Sequence, residues 1–326
     1  MSLTADEIID RRQLRKKVSF WRVLAFVLLG LFLIAMMLFG ARNAIFSAAN
    51  QDHIARIDIT GVIVNDDAML NLLDSVSENE KITSVILNIS SPGGTTVGGE
   101  AMYEAVRKLA DKKPVVTNVG TLAASAGYMI AAASDHIVAR RSSIVGSIGV
   151  LFQYADASKL MDTIGIKVDA VKSSPLKAEP DFFGPASPEA IEMIDRVITD
   201  TYEWFVEIVA ERRNMKEFEV LALADGSIYS GTRALENGLI DAIGGEDVAL
   251  DWLHEIKGID RELKVVKYEP ERPTDGLFSS NSGLTRLART FGIELNSRDL
   301  ADLEALVRQR VLLDGLVSVW QAPTQE

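Results

Sequence analysis

Residues 84–133 read SVILNISSPGGTTVGGEAMYEAVRKLADKKPVVTNVGTLAASAGYMIAAA, and the order of patterns in this stretch decides the architecture. An apolar run from Ser84 to Ile89 ends in the turn Ser91-Pro92-Gly93-Gly94 and gives way to helical spacing from Val97 to Ala110. A second run, Pro114 to Val119, ends at Gly120 and leads into an alanine-rich segment from Ala126 to Ala133. Strands alternating with helices of this length need crossover connections, so the chain is predicted to be α/β. Working outward, Ile54 to Ile59 reads as a strand upstream, with His136 to Ala139 and Val168 to Val171 as strands downstream. Ser187 to Arg213 is predicted to be one long amphipathic helix, with Ile191, Ile194, Ile198, Tyr202 and Phe205 on one side. Two shorter helices follow, over Lys216 to Leu223 and Gly231 to Asn237.

The chain has 326 residues, 48% of them hydrophobic, which is enough for a full core in one or two domains. Its net charge is -12. An acidic balance argues against nucleic-acid binding, because phosphate contacts need clustered cations. Without cysteine there is no disulfide framework and no thiol nucleophile. Val23 to Ala41 (VLAFVLLGLFLIAMMLFGA) is an uncharged run between Arg22 and Arg42. As a helix it would extend about 28 Å, close to a bilayer core of roughly 30 Å. A cleaved signal peptide has a shorter apolar region, and Ser47-Ala48-Ala49 lies too far beyond this one, so an uncleaved anchor is expected. Cations precede the span (Arg11, Arg12, Arg15, Lys16, Lys17, Arg22), which keeps the N-terminus cytoplasmic and sends the remainder outward.

Two loops carry chemistry. Gly93 and Gly94 let the backbone turn sharply and present N–H groups suited to an oxyanion, although an ordinary strand-to-helix turn has the same composition. Ser125 lies among small residues at the start of the alanine-rich helix, where Ala126 N–H is a second donor and the helix field favours negative charge. A helix N-cap serine is the alternative. A serine nucleophile needs a base. His53, His136 and His254 lack a triad context and read as structural, and with no Cys their spacing does not suit a metal. Lys177, in Lys172-Ser173-Ser174-Pro175-Leu176-Lys177, could serve if partly buried near Phe182 and Phe183. From the residues alone a solvated surface lysine is the favoured reading.

Taken together, the motifs resemble the signal peptide peptidase A family, the serine/lysine peptidases of ClpP/crotonase-like fold. The resemblance covers about Ile54 to Gly245: SPGG, AASAGY, Asp135, Val145-Gly146-Ser147-Ile148-Gly149-Val150, SSPLK, Asp225-Gly226-Ser227-Ile228-Tyr229-Ser230-Gly231 and Gly238-Leu239-Ile240-Asp241. It implies Ser125 as nucleophile and Lys177 as general base, with Gly94 and Ala126, assisted by Gly93, as oxyanion donors. Ser147, and more weakly Thr121, would orient the lysine. The chain departs from the family at Ala126 and Ser174, where glycine is common. The resemblance further implies a homo-oligomeric ring, an octamer, whose neighbouring subunits supply the serine and the lysine. No cofactor or metal is implied.

The expected organisation is a cytoplasmic basic segment (1–22), a transmembrane helix (23–41), a linker (42–52), a ClpP/crotonase-like domain (53–265), and a flexible link with a C-terminal amphipathic helix marked by Leu300, Leu303, Leu306 and Val307 (266–326). The expected activity is endoproteolysis of apolar peptides, such as leftover signal peptides, on the outer face of a bacterial inner membrane. An inactive peptide-binding scaffold of the same fold, or a crotonase-type acyl-CoA enzyme, is the alternative. Membrane lipid and peptides are the expected partners, without nucleic acid.

Overall fold

The computed structural model describes residues 29–30, 51–271 and 316–319. Apart from residues 29–30, the expected membrane helix lies outside the described residues, as does the 300–307 helix. Among those described, no helix is long and apolar enough to cross a membrane. The chain divides into two compact units, Met1–Asp52 and His53–Glu326, and the following concerns the second.

Its sheet is built on β1 (His53–Thr60), β2 (Ile82–Ser91), β4 (Val115–Ala124) and β5 (His136–Ala139), joined in parallel in that order. β10 (Val265–Tyr268) flanks β1 and β9 (Ala242–Ile243) flanks β5, also in parallel. β4 is forked: Val116–Val119 pairs with β5, whereas Leu122–Ala124 pairs with β6 (Ile144–Gly146). β8 (Ile228–Ser230) lies antiparallel to β6, so the sheet is mixed. Both faces are buried, which explains the unbroken apolar runs. Val85, Leu87 and Ile89 of β2 join one core layer, and Ile86 joins Ile54, Val116 and Val138 in the other.

The first layer is covered by α1 (Asp67–Glu78), α2 (Thr96–Ala110), α3 (Ala126–Ala132) and α5 (Pro188–Arg213); α8 (Glu246–Glu255) covers the second through Ala249 and Leu253. Local chemistry sets the boundaries. Asp66 and Thr95 accept from Ala68 N–H and Gly98 N–H to start α1 and α2. Ser187 accepts from Ala190 N–H before Pro188, and Asn214, at φ 51°, ends α5 in the left-handed conformation. α6 (Glu217–Leu221) and α7 (Gly231–Glu236) complete this end.

The long helix expected over Ser187 to Arg213 forms as α5, with Ala190 buried near its start and Phe205, Val206, Ile208 and Val209 buried towards its end, whereas Ile191 is exposed. One expectation fails here. Val168 to Val171 forms no strand. Around the short helix α4 (Ser158–Thr163), residues 151–189 contain no buried residue, so that apolar run has no neighbouring strand to complete its backbone bonding. Two short strands, β3 (Gly93–Thr95) and β7 (Leu151–Phe152), pair on either side of β11 (Leu316–Val319) in a separate antiparallel sheet.

Candidate active site

The C-terminal ends of β2, β4 and β6 bring together three sequence motifs, where open parallel sheets place their ligands. β4 runs out at Ala124, and the next residue, Ser125, takes φ 56° and ψ -121°. A non-glycine residue in this region costs roughly 1–3 kcal/mol unless its surroundings hold it. Here they do. Ser125 N–H donates to Gly146 C=O at 2.8 Å, and Ser125 C=O accepts from Tyr128 and Met129 N–H at 2.9 and 3.0 Å. Every residue of α3 is buried. Tyr128 anchors that helix by donating its hydroxyl to Leu239 C=O at 2.9 Å, and complete burial pushes its pKa upward. Ser125 occupies the cap position of α3, yet its side chain makes no capping bond. The reading of Ser125 as an ordinary N-cap serine therefore fails. Ala126 N–H opens the helix, in the turn whose donors have no intrahelical acceptor.

The Ser91–Gly94 loop is built for close approach. Ser91 Oγ donates to Gly61 C=O at 2.7 Å and accepts from Gly93 N–H at 3.1 Å, which ties the turn to its neighbours. Gly93 sits at φ 108°. A Cβ on Gly94 would run into the Ile63 carbonyl, so only glycine fits. Ile63 N–H donates to Gly93 C=O, and Thr95 N–H donates to Ile63 C=O, both at 2.9 Å. That parallel bridge leaves Gly94's own N–H and C=O on the opposite edge of β3. Gly127 fits beneath the same loop, because a Cβ there would lie 2.9 Å from Ser91 C=O.

Ser147, also at positive φ (53°), is buried beside the Gly146 carbonyl that holds Ser125. Its N–H donates to Ser227 C=O at 2.7 Å, and β8 pairs along β6 up to Gly146. The Asp225–Tyr229 motif is thus the clamp that fixes the Gly146–Ser147 turn. Its part was not evident from the residues themselves, because the pairing joins segments some eighty positions apart.

Among the described residues, no hydrogen bond or ion pair joins the Lys177 side chain to this cluster within one chain. The residue lies in a turn at 175–178, solvent-exposed, and Nζ has no hydrogen-bond or ion-pair partner among the described residues. Phe182 and Phe183, the expected desolvating neighbours, are 59% and 47% exposed. The loop is tied elsewhere, through Lys172 to Glu179 at 2.7 Å and Asp181 at 3.3 Å. Thr121 is also exposed, on the edge of β4, and no hydrogen bond of its side chain joins Lys177.

The histidines take structural positions. His53 bonds the Tyr268 hydroxyl at 2.8 Å, and His254 Nδ1 contacts Ile259 C=O at 2.8 Å. His136 stacks on Trp252 with ring centroids 4.7 Å apart. No group of three or more His, Asp or Glu that could hold a metal occurs among the described residues. The recess along α5, lined by Asp200, Glu203, Glu207 and Glu217 beside Trp204, offers carboxylates but no nucleophile.

Comparison with known proteins places these elements in a wider group. The family model for peptidase family S49 matches residues 107–260, and that for Clp protease matches residues 44–156. A Synechocystis protein named as a protease, slr0021, is 34% identical over 76% of this chain and 91% of its own length. A signal peptide peptidase SppA of Enterococcus faecium is 32% identical, covering 77% of this chain and 76% of that protein. The chloroplastic serine protease SPPA of Arabidopsis thaliana is 30% identical over 72% of this chain and 35% of its own length.

Proposed function

Because the chain belongs to the signal peptide peptidase A family within peptidase family S49, and so is a serine peptidase of ClpP-like α/β fold, we propose that Ser125 is its nucleophile and Lys177 its general base. The observation that carries this reading is the backbone of Ser125, held at positive φ by Gly146 while its side chain caps nothing. In the proposed reaction Lys177 takes the proton of Ser125 as Oγ attacks the scissile carbonyl. The developing oxyanion rests on the N–H groups of Gly94 and Ala126, with Gly93 shaping the loop. Lys177 then protonates the leaving amine, and water resolves the acyl-enzyme. Ser147 and Thr121 are proposed to orient the lysine.

An exposed lysine is a poor base, so this chemistry needs a second surface over the Lys177 loop. Leu160, Ile164, Ile166, Phe182 and Phe183 of the same 151–189 segment stand exposed, which suits coverage by another copy of the chain. The active assembly is therefore proposed to be a ring, an octamer, in which one subunit's lysine serves its neighbour's serine. The peptidase domain is taken as 53–265, on the outer face of a bacterial inner membrane, anchored through 23–41 with residues 1–22 cytoplasmic. Linker 42–52 and the tail 266–326 flank the domain. Leftover signal peptides and similar apolar peptides are the proposed substrates.

The test is peptide hydrolysis by the full chain in detergent. Cleavage of Leu- and Ala-rich peptides should fall by at least about 10³-fold in both Ser125→Ala and Lys177→Ala. Activity retained by either variant defeats the dyad. Binding without turnover by the unmodified chain points instead to a scaffold. Co-assembled Ser125→Ala and Lys177→Ala subunits should regain part of the activity, and no recovery would place each site within one chain.

A further inference from the structure

The loop that carries Lys177 is closed by a cation set between two acids. Lys172 Nζ meets Glu179 Oε1 at 2.7 Å and Asp181 Oδ2 at 3.3 Å, and all three side chains are half-buried. The other oxygen of Asp181 accepts from Phe183 N–H at 2.9 Å. These pairs span seven and nine positions, so the chain has to double back between them, and the turn at 175–178 does this. Lys177 N–H donates to Ser174 C=O at 3.1 Å, and Glu179 N–H donates to Leu176 C=O at 3.4 Å. Ala178, between Lys177 and Glu179, sits at φ 63°, a left-handed conformation that an alanine keeps only where its surroundings hold it.

This arrangement matters for what it keeps away from Lys177. Glu179 is two positions from Lys177, so their Cα atoms are at most about 7 Å apart, a gap that the two side chains together cover. A carboxylate within reach of an ammonium favours its charged form, typically by roughly 1–3 pKa units. Yet Lys177 Nζ has no partner among the described residues, and the two acids nearest to it in sequence are both engaged by Lys172. On the side of α4, where Ala157 N–H donates to Phe182 C=O at 2.9 Å, the titratable groups are Tyr154, Asp156, Lys159 and Asp162. Lys167 and Asp169 precede the loop and Glu189 opens α5. None of these is paired with Lys177. We propose that Lys172 is a positioning residue for the reaction: by holding Glu179 and Asp181 it denies Lys177 a carboxylate, and so lets the base lose its proton. The inference rests on the reading of Lys177 as general base. Lys172 itself stays charged while it does this, because its hydrogen bond to Glu179 raises its pKa. The two lysines divide the work: one remains an ammonium so that the other becomes an amine.

The experiment is the pH profile of kcat/KM for a Leu- and Ala-rich peptide, measured on the full chain in detergent. Lys172→Met keeps the apolar stem and removes the charge. The released carboxylates should then move the acid limb of the profile upward by about one pH unit or more. Below the limb the rate falls roughly tenfold for each unit of that shift, and it recovers at higher pH. Lys172→Arg should keep the unmodified profile. Combining Lys172→Met with Glu179→Gln and Asp181→Asn leaves no carboxylate to release, so the limb should return to its original place. An unmoved limb in Lys172→Met overturns the inference. A loss that Glu179→Gln and Asp181→Asn do not repair overturns it as well, because the ion pairs then serve only the shape of the loop. Lys177→Ala separates the two readings: if it still cleaves the peptide, the dyad and this inference fall together. If it is inactive while the limb of Lys172→Met stays unmoved, the inference alone falls.

Discussion

Ser125 is 1% exposed, wedged between the end of β4, the Gly146 carbonyl and a helix with every residue buried. The segment 151–189, which carries Lys177, contains no buried residue at all. The surroundings of Ser125, the proposed nucleophile, are completed by the chain itself, through short backbone bonds and core packing. The lysine loop is held by local backbone bonds and by the half-buried pairs of Lys172 with Glu179 and Asp181. If Lys177 is the base, as proposed, this contrast teaches that the chain itself completes the surroundings of the serine and leaves those of the lysine to a covering surface.

The strongest way to break the first half is Gly94→Ala. Its Cβ collides with the Ile63 carbonyl, a backbone atom that cannot rotate away. We expect kcat for peptide hydrolysis to fall by about 10²–10³-fold, the scale of losing one oxyanion donor. Near-normal kcat in a folded Gly94→Ala would remove Gly94 from the site. Next is Tyr128→Phe, which leaves the Leu239 carbonyl buried without its donor. Denaturant unfolding should show a loss of about 1–3 kcal/mol, and no change would mean that α3 is held by packing alone.

The second half predicts the opposite separation of stability from activity. Phe182→Ser alters a side chain that is 59% exposed, so the stability of a dispersed chain should change by no more than about 0.5 kcal/mol. If a neighbouring copy covers this loop, sedimentation should show weaker assembly and the peptide assay a lower rate. Full assembly and full rate together would show that the loop stays open in the working enzyme.

The smallest effects are pH-dependent and belong to the buried side. Burial would raise the Asp241 pKa, but hydrogen bonding and charge from Arg213, at 2.6 Å, outweigh it and hold the carboxyl below its ordinary range. Its folded value being the lower one, this stabilisation is complete above about pH 5 and fades as pH falls through the unfolded value near 3.9. His136 is lowered chiefly by burial, and Asp241, 3.7 Å away, offsets this only in part. The unfolded chain then takes up a proton first, so stability declines as pH drops below about 6.5. The thermal midpoint should be lower at pH 5.5 than at 7.5, with a smaller difference in His136→Gln. An equal difference in the variant would exclude His136 as the cause.

Much of this was legible in the residues. β1, β2, β4, β5 and the two helices α2 and α3 fall where apolar runs, glycine turns and helical spacing put them, because those signals are local. The Val168–Val171 run misled for the same reason: a short apolar stretch has the composition of a strand whether or not a partner exists. The partners Tyr268, Trp252 and Ile259 that the histidines meet were not foreseeable.

By itself the sequence determined the alternating α/β order, the Ser91–Gly94 and Ala123–Tyr128 loops at strand ends, and the family to which they belong. The elements and loops depend on residues within about ten positions of one another, and the family on the order of such local motifs from Ile54 to Gly245. Only the tertiary structure decided that Ser125 would be held at positive φ by Gly146, that Ser227 would clamp Ser147, and that Ser318 would lie opposite Gly94. Those arrangements are backbone pairings between distant segments. A backbone N–H or C=O is the same in every residue, so no local pattern of side chains records which partner it will find.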